Sequence, residues 1–103
     1  MTAASPESQA LTAALAPVLP RLLTPALVID LDAVEHNVRA VLARAGDARR
    51  WRPHVKTVKQ AALVDLLLSA GVRDFKCALP NELELVLDRA GARGVRIHAL
   101  LAY

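Results

Sequence analysis

The chain alternates apolar runs of strand length with stripes of apolar residues at helical spacing. The first run, residues 26–31, follows a proline and ends among acidic residues, as is typical of a buried strand. Asp32 is then placed to cap a helix, with Glu35 three residues later as in a capping box, and Gly46 is a suitable stop. The apolar stripe of this predicted helix comprises Val34, Val38, Val41, Leu42 and Ala45.

A second cycle follows directly. Residues 51–56 predict another strand, and Thr57 is placed to cap a helix that continues to about residue 70. Gly71 then ends this helix, which is apolar on most of its sides. Such a helix is expected to pack against both a sheet and neighbouring helices.

The third cycle closes the chain. Residues 74–78 predict a short strand, and Pro80 suits a helix start because its missing N–H would be unpaired there anyway. Gly91 marks the predicted end of this helix, and residues 95–101 predict a fourth strand. Strand and helix in alternation favour an α/β fold with a parallel sheet.

Two architectures fit this pattern: an open four-stranded sheet, or the first half of a (β/α)8 barrel with about four parallel strands alternating with three helices. Residues 1–23 precede it as an extension, with a short helix predicted at residues 6–16 before two prolines. Residues 24–103 form the predicted α/β domain. Neither of the glycine-rich phosphate loops GxGxxG and GxxxxGK[ST] is present, which argues against nucleotide binding.

Composition narrows the class of protein. At 103 residues the chain is one domain or less, short of the roughly 250 residues of a complete barrel. The net charge of +3 comes from dispersed arginines without interleaved aromatics, so no nucleic-acid partner is expected. A single cysteine, Cys77, excludes an internal disulfide and fits a reducing cytoplasm. The first residues resemble neither a signal peptide nor a membrane span, so we expect a cytoplasmic protein.

The hexapeptide RPHVKT at residues 52–57 is chemically distinctive. The chain has three lysines against ten arginines, and Lys56 and Lys59 lie in or beside this segment. Alternation places Arg52, His54 and Lys56 on one face of the predicted strand, with Lys56 at its carboxyl end. A lysine that points into a barrel there would be partly desolvated, which lowers the pKa of an amine. Its neutral form could attack an aldehyde, whereas an arginine stays protonated.

Four ordered segments carry a family resemblance: TPALVIDLDAVEHNV, RPHVKTVK, CALPNELELV and LLAY. Together they resemble the amino-terminal part of fold-type III pyridoxal-phosphate proteins, in the branch of D-threonine aldolase and D-serine dehydratase. The alanine racemase amino-terminal domain is the wider superfamily. The resemblance spans residues 24–103 and implies the half-barrel rather than the open sheet.

The resemblance also implies a site. The lysine after R-P-H-x forms the Schiff base with pyridoxal 5′-phosphate in that family, which corresponds to Lys56 here. Arg52, His54 and Thr57 match the same motif and are implied to contact the cofactor. The family often has a histidine where this chain has Val58, which leaves the anchor lysine intact.

The implied function is that of a lyase acting on a small D-amino acid, with an amino-acid racemase of the same superfamily as an alternative. Complete relatives continue through further barrel strands and a β-rich domain that supplies their divalent-metal ligands. No matching metal position exists here, so no metal site is predicted. The chain is therefore expected to be an amino-terminal fragment that is inactive alone. The competing interpretation is a non-catalytic remnant or half-barrel that forms a homodimer or binds a complementing chain.

Several side chains also have simpler interpretations. His54 could equally be a core histidine whose ring is satisfied by backbone groups. Lys59 is expected in the first turn of the following helix and away from the cofactor. Glu82 and Glu84 fit helix-start charges, and Cys77 fits a small buried apolar residue.

Overall fold

The computed structural model describes residues 4–102. The chain divides into two compact units, one up to Asp30 and one from Leu31. The first unit contains helix α1, Pro6–Leu15, and a 3₁₀ turn at Leu19–Arg21. Helix α1 begins where Ser5 caps it, since the Ser5 hydroxyl accepts a hydrogen bond from the Ser8 N–H at 3.1 Å. The helix predicted for the extension is therefore confirmed.

The second unit contains three helices and a two-stranded parallel sheet. The helices are α2 (Leu31–Ala45), α3 (Ala61–Ser69) and α4 (Pro80–Ala92), and the strands are β1 (Asp74–Cys77) and β2 (His98–Leu101). Asp74 pairs with His98 at one end of the sheet and Cys77 with Leu101 at the other. Two shorter 3₁₀ turns, Ala48–Arg50 and Val55–Thr57, lie between α2 and α3.

The predicted fold class is wrong. Within residues 4–102 there are four helices and only two short parallel strands in one sheet, not four strands alternating with three helices of a half-barrel. The first predicted strand fails because residues 26–30 pair with no other strand in the described chain, and α2 already begins at Leu31. Asp32 consequently lies inside α2 and does not precede it as a cap. An apolar run becomes a strand only when a partner pairs with it, and periodicity contains no information about that partner.

The second predicted strand is reduced to a single bridge. His54 pairs with Lys76 of β1 in parallel, and the Pro53 carbonyl accepts a hydrogen bond from the Lys76 N–H at 3.0 Å. Proline has no N–H to donate to a neighbouring strand, so the backbone pairing with β1 does not extend beyond this bridge. The chain then turns into the 3₁₀ turn Val55–Thr57, and α3 begins only at Ala61, not at Thr57.

Predictions for the last third of the chain are confirmed for its strands and for the start of its helix, but α4 continues through Gly91 to Ala92, so Gly91 does not end it. Strand β1 and the start of α4 at Pro80 lie where expected, and β2 occupies the later part of the predicted fourth strand. Gly71 has the positive φ, 97°, that a helix stop of this kind requires. None of the helices within residues 4–102 has the length and apolar character needed to span a bilayer.

The core of the second unit lies between the helices and one face of the sheet. Phe75 of β1 is its largest fully buried apolar side chain. Cys77 is also buried, which confirms its interpretation as a small apolar residue. The buried cluster comprises Val38, Val55, Val64, Leu67, Leu68, Val72, Phe75, Cys77 and Val86.

Candidate functional site

Lys56 lies where three parallel extended segments end. Residues 51–54, β1 and β2 run in the same direction, because His54 bridges to β1 in parallel and β1 pairs with β2 in parallel. Lys56 follows the first segment in the turn Val55–Thr57. Val55 is fully buried and fixes this turn to the core, while Lys56 itself is exposed. The carboxyl edge of a parallel sheet is the usual place for ligand sites in α/β proteins.

His54 organises the turn that carries Lys56. Its Nδ1 atom accepts a hydrogen bond from the Lys56 backbone N–H at 3.2 Å, which caps the 3₁₀ turn. An accepting Nδ1 places the proton of the neutral ring on Nε2. The hydrogen bond from the Lys56 N–H satisfies one ring nitrogen of His54, as expected of a structural histidine. The half-buried ring also lines a neighbouring cavity, as expected of a residue in a binding site.

Arg52 ties the three parallel segments together. One guanidinium nitrogen donates to the Phe75 carbonyl at 2.9 Å and lies 3.4 Å from the His98 carbonyl. The other lies 3.4 Å from Asp74 Oδ1. These contacts with both strands give Arg52 a structural role beside any role in binding a ligand.

A cavity of about 320 Å³ lies beside the turn on its apolar side. Thr57 and His54 are its polar lining, and it is within the size range of small-molecule pockets. Lys56 is not among the lining residues, although its neighbour Thr57 is. The apolar lining comprises Val34, Val38, Trp51, Pro53, Val58, Leu63 and Leu67.

Lys59 and Glu82 form an ion pair that the sequence did not suggest. Lys59 Nζ is 3.3 Å from Glu82 Oε2, and the Glu82 side chain is only 1% exposed. The other carboxylate oxygen, Oε1, accepts a hydrogen bond from the Ala78 N–H at 2.9 Å. That hydrogen bond, aided by Lys59 and opposed by burial, lowers the pKa of Glu82. A glutamate three residues into a helix that follows a strand was the available signal, since such a side chain can reach back to the preceding backbone.

The desolvation predicted for Lys56 does not occur in the described structure, residues 4–102. Lys56 is exposed at the edge of the sheet, so its amine is in contact with solvent. No ion pair between Lys56 and a carboxylate occurs within residues 4–102. The structure thus brings Lys56, His54 and Thr57 together in one turn and leaves the Lys56 amine accessible.

Other chemistry-bearing residues do not assemble into a site. Within the part of the chain that the structure describes, no group of three or more His, Cys, Asp or Glu side chains could hold a metal ion. Burial raises the pKa of the Cys77 thiol, as does the nearby charge of Glu82. A buried thiol that stays protonated is a poor nucleophile, which leaves Cys77 its packing role.

Comparisons with known proteins provide no relative: no protein-family model, no curated protein and no solved structure matches the chain. Function must therefore be argued from the residues of the turn and from the resemblance of their motif.

Proposed function

We propose that Lys56 covalently anchors pyridoxal 5′-phosphate and that the chain belongs to an enzyme acting on D-amino acids. The observation that carries this proposal is the position of Lys56, exposed in the turn where three parallel extended segments end. The segment-by-segment resemblance to fold-type III pyridoxal-phosphate proteins supports the same residue. An arginine in this position could not perform the step, because its guanidinium does not lose its proton.

The residues of the turn fit the anchoring part of such a site. Lys56 would hold the cofactor through its amine, which would bond to the aldehyde carbon and release the carbonyl oxygen as water. His54 holds the backbone N–H of Lys56, and Arg52 holds the preceding segment against both strands. When bound, the cofactor supplies a ring that withdraws electrons from Cα of an amino acid.

Reductive labelling tests the anchor. The purified chain would be incubated with pyridoxal 5′-phosphate and reduced with borohydride, and the modified lysines would be mapped by peptide mass spectrometry. We expect most of the label at Lys56, because its amine is accessible and is not paired with a carboxylate within residues 4–102. Lys59 and Lys76 serve as internal references in the same sample.

The matched control is Lys56→Arg, which keeps the positive charge and removes the reactive amine. This variant should lose the dominant label while circular dichroism stays unchanged. Equal labelling of the three lysines, or total labelling that survives Lys56→Arg, would contradict the proposal.

The reaction class is tested separately, in samples that contain the cofactor. D-threonine would yield glycine and acetaldehyde by aldol cleavage, D-serine would yield pyruvate and ammonia by dehydration, and D-alanine would yield L-alanine by racemisation. The lyase proposal predicts turnover of D-threonine or D-serine. Turnover of D-alanine alone would favour the racemase.

A non-catalytic protein that binds a partner chain is the second candidate. It is favoured by apolar side chains that the first unit leaves in solvent, with Leu23 91% and Leu27 81% exposed. Exposed apolar side chains that form one contiguous patch mark protein interaction sites. Labelling without preference for Lys56, together with a sedimentation coefficient that rises with concentration, would support this candidate over the enzyme.

A further inference from the structure

The lysines of the turn region differ in their partners. Lys59 Nζ lies 3.3 Å from Glu82 Oε2, whereas no carboxylate pairs with Lys56 within residues 4–102. The Lys59 side chain is 49% exposed, so solvent access alone does not prevent an aldehyde from reaching it. What separates the two amines is the buried carboxylate.

Glu82 depends on Lys59 for compensation of its charge. Its Oε1 is satisfied by the Ala78 N–H at 2.9 Å. Its Oε2 is buried and has no hydrogen-bond partner in the described part of the chain. The positive charge of Lys59 is therefore what compensates the charge on this oxygen. Removal of the positive partner from a buried carboxylate is costly, because the remaining charge is neither solvated nor paired.

Condensation with an aldehyde requires a free lone pair on the amine. The nitrogen attacks the carbonyl carbon and forms a C–N bond, two protons leave the nitrogen, and the carbonyl oxygen departs as water. For Lys59 to begin this step, its nitrogen must leave the buried Glu82 Oε2 without a charged partner. Lys56 meets no such requirement from any carboxylate in residues 4–102.

We propose that Glu82 sets the selectivity between Lys56 and Lys59: by holding Lys59 as its ion-pair partner, it leaves Lys56 as the more reactive of these two amines towards aldehydes. This inference rests on the proposed function for its biological meaning, since the aldehyde there is the cofactor. It assigns Glu82 a role in selectivity that a helix-start charge would not have.

Reductive methylation with formaldehyde and cyanoborohydride measures this selectivity directly. Rates at Lys56 and Lys59 would be followed by tandem mass spectrometry on the folded chain and on the chain in urea. In the folded chain we expect Lys59 to react about tenfold more slowly than Lys56. This factor lies between the slowing expected from an exposed ion pair and that expected from a buried one. In urea the two rates should become similar.

Glu82→Gln should bring the two folded-state rates together, because the amide keeps an oxygen for the Ala78 N–H but carries no charge to hold Lys59. Glu84→Gln is the matched control, since it removes one charge from an exposed position of the same helix and should leave the rate ratio unchanged. Circular dichroism would check that both variants fold. If Glu82→Gln does not fold, the comparison of the folded and urea-unfolded wild type decides alone.

Two results would overturn the inference: equal rates at both lysines in the folded wild type, or a Glu84→Gln effect as large as that of Glu82→Gln. Formaldehyde needs no cofactor site. A failure of pyridoxal phosphate to label Lys56 would therefore reject the proposed function and leave the selectivity result standing.

Discussion

At the scale of single residues, Asp74 is the one carboxylate in strands β1 and β2, and two arginines pair with it. Arg49 Nε donates to Asp74 Oδ2 at 2.7 Å, and Arg52 lies 3.4 Å from Oδ1. The hydrogen bond from Arg49 is the largest cause of the lowered pKa of Asp74, and the charges of Arg49 and Arg52 act in the same direction against burial. The ionised form is thus favoured in the folded state.

This pairing predicts acid sensitivity. Because the folded pKa of Asp74 lies below its ordinary value of 3.8, Asp74 contributes stability above that pH and loses it as the pH falls toward the folded pKa. We expect the urea midpoint, followed by Trp51 fluorescence, to fall as the pH drops below about 4. Asp74→Asn should be less stable at neutral pH and lose less of its stability across this acid range. An equally steep acid dependence in the variant would show that other carboxylates cause it.

At the scale of secondary-structure elements, two glycines have opposite requirements. Gly71 follows α3 with φ of 97°, a region that side chains with a Cβ rarely adopt. Gly91 lies inside α4, and a Cβ built there meets nothing within 4 Å. The same substitution is therefore unfavourable at one position and tolerated at the other.

Gly71→Ala should destabilise the chain by about 1–2 kcal/mol, through backbone strain alone, because the nearest atom to the added Cβ is at an ordinary 3.6 Å. Gly91→Ala should stabilise it by up to about 1 kcal/mol, through better helix propensity. Urea denaturation of both variants checks the pair. A loss of stability at Gly91, or none at Gly71, would contradict this account.

Helix boundaries that are set by a proline or a glycine were predicted well from the sequence. Pro80 marks the start of α4 and Gly71 the end of α3, because proline and glycine act on the backbone near their own positions. The segment 51–56 was misassigned, since its apolar alternation gave no warning that Pro53 would interrupt the ladder. Glu82 was underestimated for a similar reason: its burial depends on Lys59 and on the end of β1, contacts that charge patterning does not show.

At the scale of the whole molecule, the core of the second unit is small and depends on few large side chains. Phe75 is fully buried at the centre of β1, and the remaining buried apolar residues are mainly valine and leucine. Loss of the Phe75 ring therefore removes a large share of the apolar packing.

Phe75→Ala should destabilise the chain by about 3–5 kcal/mol, which approaches the whole stability of a small domain. We expect the cooperative urea transition of Trp51 fluorescence to disappear or to move close to zero denaturant. Leu87→Ala is the control, because Leu87 is half exposed on α4 and its truncation should change stability by no more than about 0.5 kcal/mol. Similar effects of both substitutions would place the core elsewhere.

The overall architecture was the least predictable level. Three cycles of strand and helix favoured a half-barrel, yet within residues 4–102 only β1, α4 and β2 form a complete strand–helix–strand unit. Lys56, His54 and Thr57 lie together in one turn because they are neighbours in sequence, while their role in a site stays a prediction. The burial of these three side chains was not predictable, because it depends on how many strands surround the turn and the local sequence does not specify that number.

Arg52 stands next to the one residue of its segment that cannot donate a backbone hydrogen bond. Its guanidinium reaches the carbonyls of Phe75 and His98, so a side chain links this segment to both strands where the main-chain pairing is limited to one bridge. The position of Lys56 therefore depends on a guanidinium four residues earlier, and a lysine or a shorter side chain there would lose the link to both strands.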